Sequence, residues 1–116
     1  MVVDDDAGMR HAMEQLLLAA GFDVSTFRSG EEFLAAAPTA SFLILDVHLP
    51  GLSGFDVCER VRPTPGQPPV IFITAHDSPA SRDRAQRLAA AAYFTKPFAG
   101  RSLLAVLNRT SNAEES

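Results

Sequence analysis

Short, nearly continuous apolar runs alternate with amphipathic stretches along the whole chain. Three runs read as strands: Met1–Val3, Phe42–Leu45 and Val70–Ile73. The uninterrupted apolar character of Phe42–Leu45 and Val70–Ile73, four residues each, is typical of strands that are buried on both faces of a sheet. Phe22–Phe27 is half polar, which favours an edge strand, and Tyr93–Thr95 supplies a fifth strand.

Between these runs, apolar residues recur at helical spacing. The pattern predicts helices over residues 7–20, 29–37, 55–62, 79–92 and 101–109. Gly21 and Pro38 mark the ends of the first two helices, and Pro79 suits the first turn of the fourth. Asp6 is expected to cap the first helix. The run Ala89–Ala92 offers no glycine at which the fourth helix would stop.

Strands that alternate with helices predict an α/β fold with a parallel five-stranded sheet covered by helices on both faces. A chain of 116 residues is expected to form one domain. We assign residues 1–110 to it and residues 111–116 to a polar tail. This is a (βα)5 three-layer sandwich.

Composition narrows the function classes. The chain has 10 basic and 14 acidic residues, a formal charge of −4, and we expect no direct nucleic-acid binding. The single cysteine, Cys58, excludes an internal disulfide and a cysteine-based zinc site. No apolar run approaches the ~20 residues of a membrane span, and the acidic start is unlike a signal peptide. We therefore expect a cytoplasmic protein without a membrane partner.

Side chains capable of chemistry follow four of the five predicted strands. They are Asp4 and Asp5, Asp46, Thr74 and Lys96. Because ligands bind at the carboxyl ends of parallel strands, we expect these groups to converge at one edge of the sheet. Three clustered carboxylates repel one another, and oxygen-only ligation favours Mg²⁺. With the lysine and the hydroxyl, the set suits a phosphoryl group, and Asp46 is the best candidate for a nucleophile that forms an aspartyl phosphate.

Four motifs in this order resemble the receiver domains of two-component response regulators. They are Val2-Val3-Asp4-Asp5, Leu45-Asp46 with Pro50-Gly51-x-x-Gly54, Ile73-Thr74-Ala75, and Lys96-Pro97-Phe98. The resemblance implies a flavodoxin-like sheet of strand order 2-1-3-4-5. It covers essentially the whole chain, and it looks closest to receivers that carry helix-turn-helix output domains.

The resemblance also implies a Mg²⁺ cofactor and its ligands. Asp5 would bind the metal directly, Asp4 largely through water, and Asp46 and the backbone carbonyl of His48 would complete the protein ligands. His48 and His76 each lie two residues beyond a site residue. There they either tune the access of water to a phosphoryl group or are solvated loop histidines.

The remaining implied roles concern phosphate and signalling. Asp46 would be the phosphoacceptor, Thr74 would bind the phosphoryl group, and Lys96 would pair with it beside a Lys96–Pro97 bond that is usually cis. Tyr93 occupies the aromatic switch position, coupled to Thr74. The phosphodonor would be a sensor histidine kinase. The output face would be helix 4, strand 5 and helix 5, used by a second copy in a homodimer, by a separate protein or by a DNA-binding domain.

Two alternatives stay open at this point. A haloacid-dehalogenase-type phosphatase uses a similar set of groups, but it places a second Asp two residues after its nucleophile, where this chain has His48. The second alternative is a degenerate receiver that acts as an unphosphorylated scaffold. It stays open because only three residues precede Asp4, so the first strand is expected to be shortened. No output region follows the predicted domain, so the output is expected to be missing or separate. Apart from its own phosphorylation and dephosphorylation, the domain is not expected to be an enzyme.

Overall fold

The computed structural model describes residues 1–36, 41–61 and 68–115 of the chain. Its strands are β1 (Val2–Val3), β2 (Thr26–Phe27), β3 (Leu43–Asp46), β4 (Val70–Thr74) and β5 (Ala92–Thr95). Its helices are α1 (Ala7–Ala19), α2 (Gly30–Ala36), α3 (Gly54–Val61), α4 (Pro79–Arg87) and α5 (Gly100–Glu115). The predicted ends of the second and third helices, at residues 37 and 62, and the Pro38 stop lie outside these ranges.

The five strands form one parallel sheet of order β2-β1-β3-β4-β5, which confirms the predicted fold class. In the central ladder Leu43 pairs with Val70 and Asp46 pairs with Ile73. This register brings the polar ends of β3 and β4 to the same edge of the sheet.

Two apolar clusters lie on opposite faces of this sheet. Neighbouring residues of a strand point to opposite faces, so Ile44 belongs to one cluster and Leu45 to the other. Helices α1 and α5 cover the Ile44 face, and the Leu45 face is covered by α2, α3 and α4. The continuous apolar pattern of β3 and β4 therefore reflects burial on both sides, as predicted.

Strand β2 is shorter than predicted. Only Thr26 and Phe27 pair, with Val2 and Val3, because β1 is itself two residues long in this structure. The preceding residues Phe22 and Val24 do not join the ladder, but both pack against the cluster on the α1 and α5 face.

The fourth helix was predicted to extend to Ala92, and this is wrong. Helix α4 ends at Arg87, and Ala89 adopts a left-handed conformation with φ 56°. The backbone N–H of Ala91 then donates to the Val70 carbonyl at 2.8 Å. Pairing with the edge of β4 therefore outweighs the helix propensity of the alanine run, and Ala89 takes the turn position that glycine would occupy without strain.

Helix α5 continues through residue 115, past the start of the predicted tail at Ser111. Residues 110–115 include no Pro or Gly that would stop it. Within the described ranges, no helix combines the length and the apolar character that crossing a membrane requires.

Candidate functional site

The structure brings together the acidic residues that follow β1 and end β3. Asp4 is 0% exposed and Asp46 is 5% exposed, whereas Asp5 lies at the surface. One carboxylate oxygen of each residue lies within 4.8 Å of the others. These three oxygens form the expected cluster at the carboxyl edge of the sheet.

Lys96 bridges the two buried carboxylates. Its Nζ lies 3.1 Å from Asp4 Oδ2 and 3.1 Å from Asp46 Oδ2. The residue follows β5 directly, and its backbone N–H donates to the Thr74 carbonyl at 2.7 Å. The Lys96–Pro97 peptide bond is cis, as the resemblance implied. Lys96 is the only lysine in the chain, and its one positive charge faces two negative ones.

Burial and charge shift two pKa values in this cluster. Burial raises the pKa of Asp4 above 3.8, with repulsion from Asp46 adding to it, while the Asp6 N–H and Lys96 oppose the rise. Burial acts to lower the pKa of Lys96, but its hydrogen bonds with Asp4 and Asp46 outweigh this and raise that pKa above 10.5. Lys96 is therefore a cation at neutral pH, held between carboxylates.

Each buried carboxylate also accepts a hydrogen bond from the backbone that follows it. Asp4 Oδ1 accepts from the N–H of Asp6 at 2.9 Å, and Asp46 Oδ1 accepts from the N–H of His48 at 3.0 Å. In both residues the second oxygen is left for Lys96. The orientation of both carboxylates is thus fixed by their own loops before any ligand binds.

Two features that the sequence reasoning did not identify support these loops. Arg10 Nη1 donates to the backbone carbonyl of Asp4 at 2.8 Å. At Gly54, a Cβ would lie 2.3 Å from the backbone oxygen of Asp46, so only glycine lets α3 begin against the end of β3. The Gly54 motif position was noted in the sequence, but its contact depends on the three-dimensional approach of the two elements.

As predicted, Asp6 caps α1 by accepting from the N–H groups of Gly8 and Met9.

Thr74 ends β4 with its side chain fully buried. Its hydroxyl donates to the His76 carbonyl at 3.2 Å and accepts from the His76 N–H at 3.0 Å. Nε2 of His48 lies 3.4 Å from the same carbonyl, and the two imidazole rings are 5.5 Å apart. The loops after β3 and β4 therefore meet through His48 and His76.

Tyr93, in the middle of β5, is half-buried and is held by side chains near the start of α4. Its hydroxyl donates to Asp77 Oδ1 at 3.0 Å, and the guanidinium of Arg82 lies 5.2 Å from its ring centre. Asp77 and Arg82 were not among the predicted site residues. No local pattern marks them, because the contact joins residues that are far apart in the chain.

The donor set fits Mg²⁺. Asp4, Asp5 and Asp46 offer three carboxylate oxygens close together, and hard divalent cations of this kind prefer oxygen ligands. Asp5 is exposed, so it is the carboxylate most open to an ion entering from solvent.

Comparison with known proteins identifies the family. Residues 1–108 match the family model described as the response regulator receiver domain. The chain is 35% identical over 108 residues to the transcriptional regulatory protein FixJ of Bradyrhizobium diazoefficiens, covering 91% of this chain and 53% of FixJ. It is 34% identical over 122 residues to the response regulator MprA of Mycobacterium avium, covering 100% of this chain and 54% of MprA. The chain thus spans about half the length of these curated relatives.

A solved structure agrees with both the fold and the family. The BeF3-activated receiver domain of DrrB, a Thermotoga maritima protein, superposes with a TM-score of 0.88 at 33% identity, covering 96% of this chain and 94% of that one. Response regulator receiver domains are signalling switches rather than conventional enzymes. The sheet order, the acidic edge and the matched residues lead to one assignment: this chain belongs to the receiver domains of two-component response regulators.

Proposed function

We propose that this domain is a phosphorylation-dependent switch that accepts a phosphoryl group on Asp46 from a sensor histidine kinase. The observation that carries the proposal is the position of Asp46 itself. It ends the central strand β3 and is almost completely buried. Its Oδ2 lies 3.1 Å from the Lys96 ammonium, beside the second buried carboxylate, Asp4.

In the proposed transfer, a carboxylate oxygen of Asp46 attacks the phosphorus of the phosphohistidine. The phosphorus–nitrogen bond breaks, and its electron pair stays on the kinase imidazole. Lys96, already beside Asp46, pairs with a phosphoryl oxygen as the new bond forms. Bound Mg²⁺ would offset the negative charge of the acceptor carboxylate and of the phosphoryl oxygens. Asp5, Asp4, Asp46 and the His48 carbonyl are the groups that we propose to hold it.

Thr74 is the proposed sensor of the phosphoryl group. Its hydroxyl donates to the His76 carbonyl in this structure. This hydrogen bond must break before the hydroxyl can donate to a phosphoryl oxygen. The change would pass to Tyr93 and then to the face formed by α4, β5 and α5. We propose that this face contacts a second copy or an output partner in the cytoplasm. The name of FixJ as a transcriptional regulatory protein supports an output in transcription.

The experiment that tests this function is an intact-mass measurement after incubation with Mg²⁺ and acetyl phosphate. We expect one added phosphoryl group on the wild-type protein and none on Asp46→Asn or in the presence of EDTA. Asp6→Asn is the matched control, because Asp6 is a neighbouring carboxylate that caps α1 and asparagine caps equally well. This variant should be phosphorylated like the wild type.

Phosphate release is followed in the same reactions, so that rapid turnover is not mistaken for inactivity. A folded protein that gives neither an adduct nor released phosphate contradicts the proposal and favours the scaffold alternative. Release of phosphate from unrelated phosphoesters would instead favour a phosphatase.

A further inference from the structure

Around Tyr93, the structure carries a second set of interactions that the phosphoryl site does not explain. The Tyr93 hydroxyl donates to Asp77 Oδ1 at 3.0 Å. Arg82 Nε lies 2.9 Å from each oxygen of the same carboxylate, and its Nη2 lies 2.8 Å from Oδ2. The guanidinium also lies over the Tyr93 ring, 5.2 Å from its centre. The three side chains form a closed triangle of contacts.

We propose that Asp77 and Arg82 form a latch that holds Tyr93 in its observed orientation and opposes its movement when Asp46 is phosphorylated. This inference rests on the proposed function, because it concerns the regulation of the same switch. Asp77 and Arg82 are both exposed, so their mutual pairing contributes little to overall stability. Their contacts instead select one position of the Tyr93 ring and hydroxyl.

The position of Asp77 couples this latch to the phosphoryl site. Asp77 directly follows His76, whose backbone N–H and carbonyl are both bonded to the Thr74 hydroxyl. When Thr74 turns to a phosphoryl oxygen, these two contacts are lost and the loop that carries Asp77 loses an anchor. Release of Thr74 and release of Tyr93 therefore involve the same short loop.

The latch also shapes a cavity on the surface of α4 and β5. The cavity has a volume of about 260 Å³ and is lined by Arg82, Ala85, Gln86, Ala90, Ala92 and Tyr93. Arg82 of the latch and Tyr93, which the latch holds, both line this cavity, and the other lining residues are mostly small. Opening the latch would therefore change the shape of this cavity together with the state of the switch.

The chain provides its own optical probe for the test. It contains one tyrosine and no tryptophan, so tyrosine fluorescence reports on Tyr93 alone. We would titrate wild type and Asp77→Asn with beryllofluoride at saturating Mg²⁺ and follow this fluorescence. If the latch opposes switching, the variant binds the phosphoryl mimic about two- to fivefold more tightly, the range expected for loss of an exposed ion pair.

Asp83→Asn is the matched control. Asp83 lies on the same helix and pairs with Arg87, away from Tyr93, so this variant should titrate like the wild type. A second measurement follows the phenol absorbance during alkaline titration without Mg²⁺. Burial and the bond to Asp77 raise the pKa of Tyr93, in that order, so Asp77→Asn should lower this pKa and Asp83→Asn should leave it unchanged.

The outcomes separate the latch from the proposed function. A wild-type response to beryllofluoride with equal or weaker binding by Asp77→Asn overturns the latch and leaves the phosphorylation switch standing. A wild-type protein that does not respond at all overturns both. An unchanged Tyr93 pKa in Asp77→Asn shows that the contact is absent in solution and overturns the latch on its own.

Discussion

Replacement of Lys96 by methionine is the most informative perturbation of the acidic cluster. The variant keeps most of the side-chain volume but leaves Asp4 and Asp46, which are 0% and 5% exposed, without their shared cation. Removing one partner of a buried ion pair typically costs about 3–5 kcal/mol. Because the Lys96 side chain is 18% exposed, we expect a loss at or just below the lower end of this range, about 2–3 kcal/mol.

Magnesium should reverse much of this loss. In the wild type, an incoming cation competes with the Lys96 ammonium for the same two carboxylates, whereas in Lys96→Met it does not. We therefore expect tighter Mg²⁺ binding by the variant. At a concentration one hundred times the dissociation constant, a ligand adds about 2.7 kcal/mol of stability, which is comparable to the loss.

The assay is urea unfolding with and without Mg²⁺. Urea is preferred to guanidinium because the guanidinium salt would screen the charges under study. Arg101→Met is the control, since it removes one positive charge from an exposed position near the start of α5; its effect should stay within about 0.5 kcal/mol. Equal stabilities of Lys96→Met and wild type without Mg²⁺ would refute the reasoning, as would a stability gap that Mg²⁺ fails to narrow.

Three further predictions concern the backbone and the buried carboxylate. Gly54→Ala should destabilise the domain by about 1–3 kcal/mol, because the new Cβ meets the backbone of Asp46 rather than a movable side chain; an unchanged urea midpoint would contradict this. Ala89→Gly should stabilise by about 0.5–1 kcal/mol, since φ at this position is 56°; a lower thermal midpoint would count against it. The pKa of Asp4 is raised by burial, so the folded state holds a proton that the unfolded state releases above pH 3.8. The stability of Asp4→Asn relative to wild type, measured without Mg²⁺, should therefore increase as pH rises from 3.8 to the folded-state pKa of Asp4. A stability difference that stays constant over this pH range would disprove the prediction.

The sequence predicted that Asp4, Asp5, Asp46 and Lys96 lie close together, because strand ends determine their positions. Asp46 and Thr74 each close a continuous apolar run, and a parallel sheet places such ends at one edge. The identity of the residues that converge followed from this geometry alone. The roles of Asp46, Thr74, Lys96 and Tyr93 in signalling remain predictions.

The parts that the sequence did not predict depend on tertiary contacts. The alanine run after α4 has high helix propensity, and only its pairing with β4 diverts it into a turn and a strand. The half-polar stretch before Phe27 looked like a longer strand, but its partner β1 offers only two residues for pairing. The contact of Asp77 and Arg82 with Tyr93 carries no sequence signal, because it joins α4 and the loop before it to β5 through side-chain geometry.

The single lysine of the chain has a consequence for chemical labelling. Apart from the α-amino group, amine acylation can address only Lys96, so the extent of modification reads one position without any mutation. A protonated amine is a poor nucleophile, and the two flanking carboxylates raise the pKa of this one. The rate of acylation therefore measures how firmly the carboxylates hold their cation. A ligand that binds the two carboxylates in place of Lys96 would increase this rate, whereas a ligand that covers the Lys96 ammonium would decrease it.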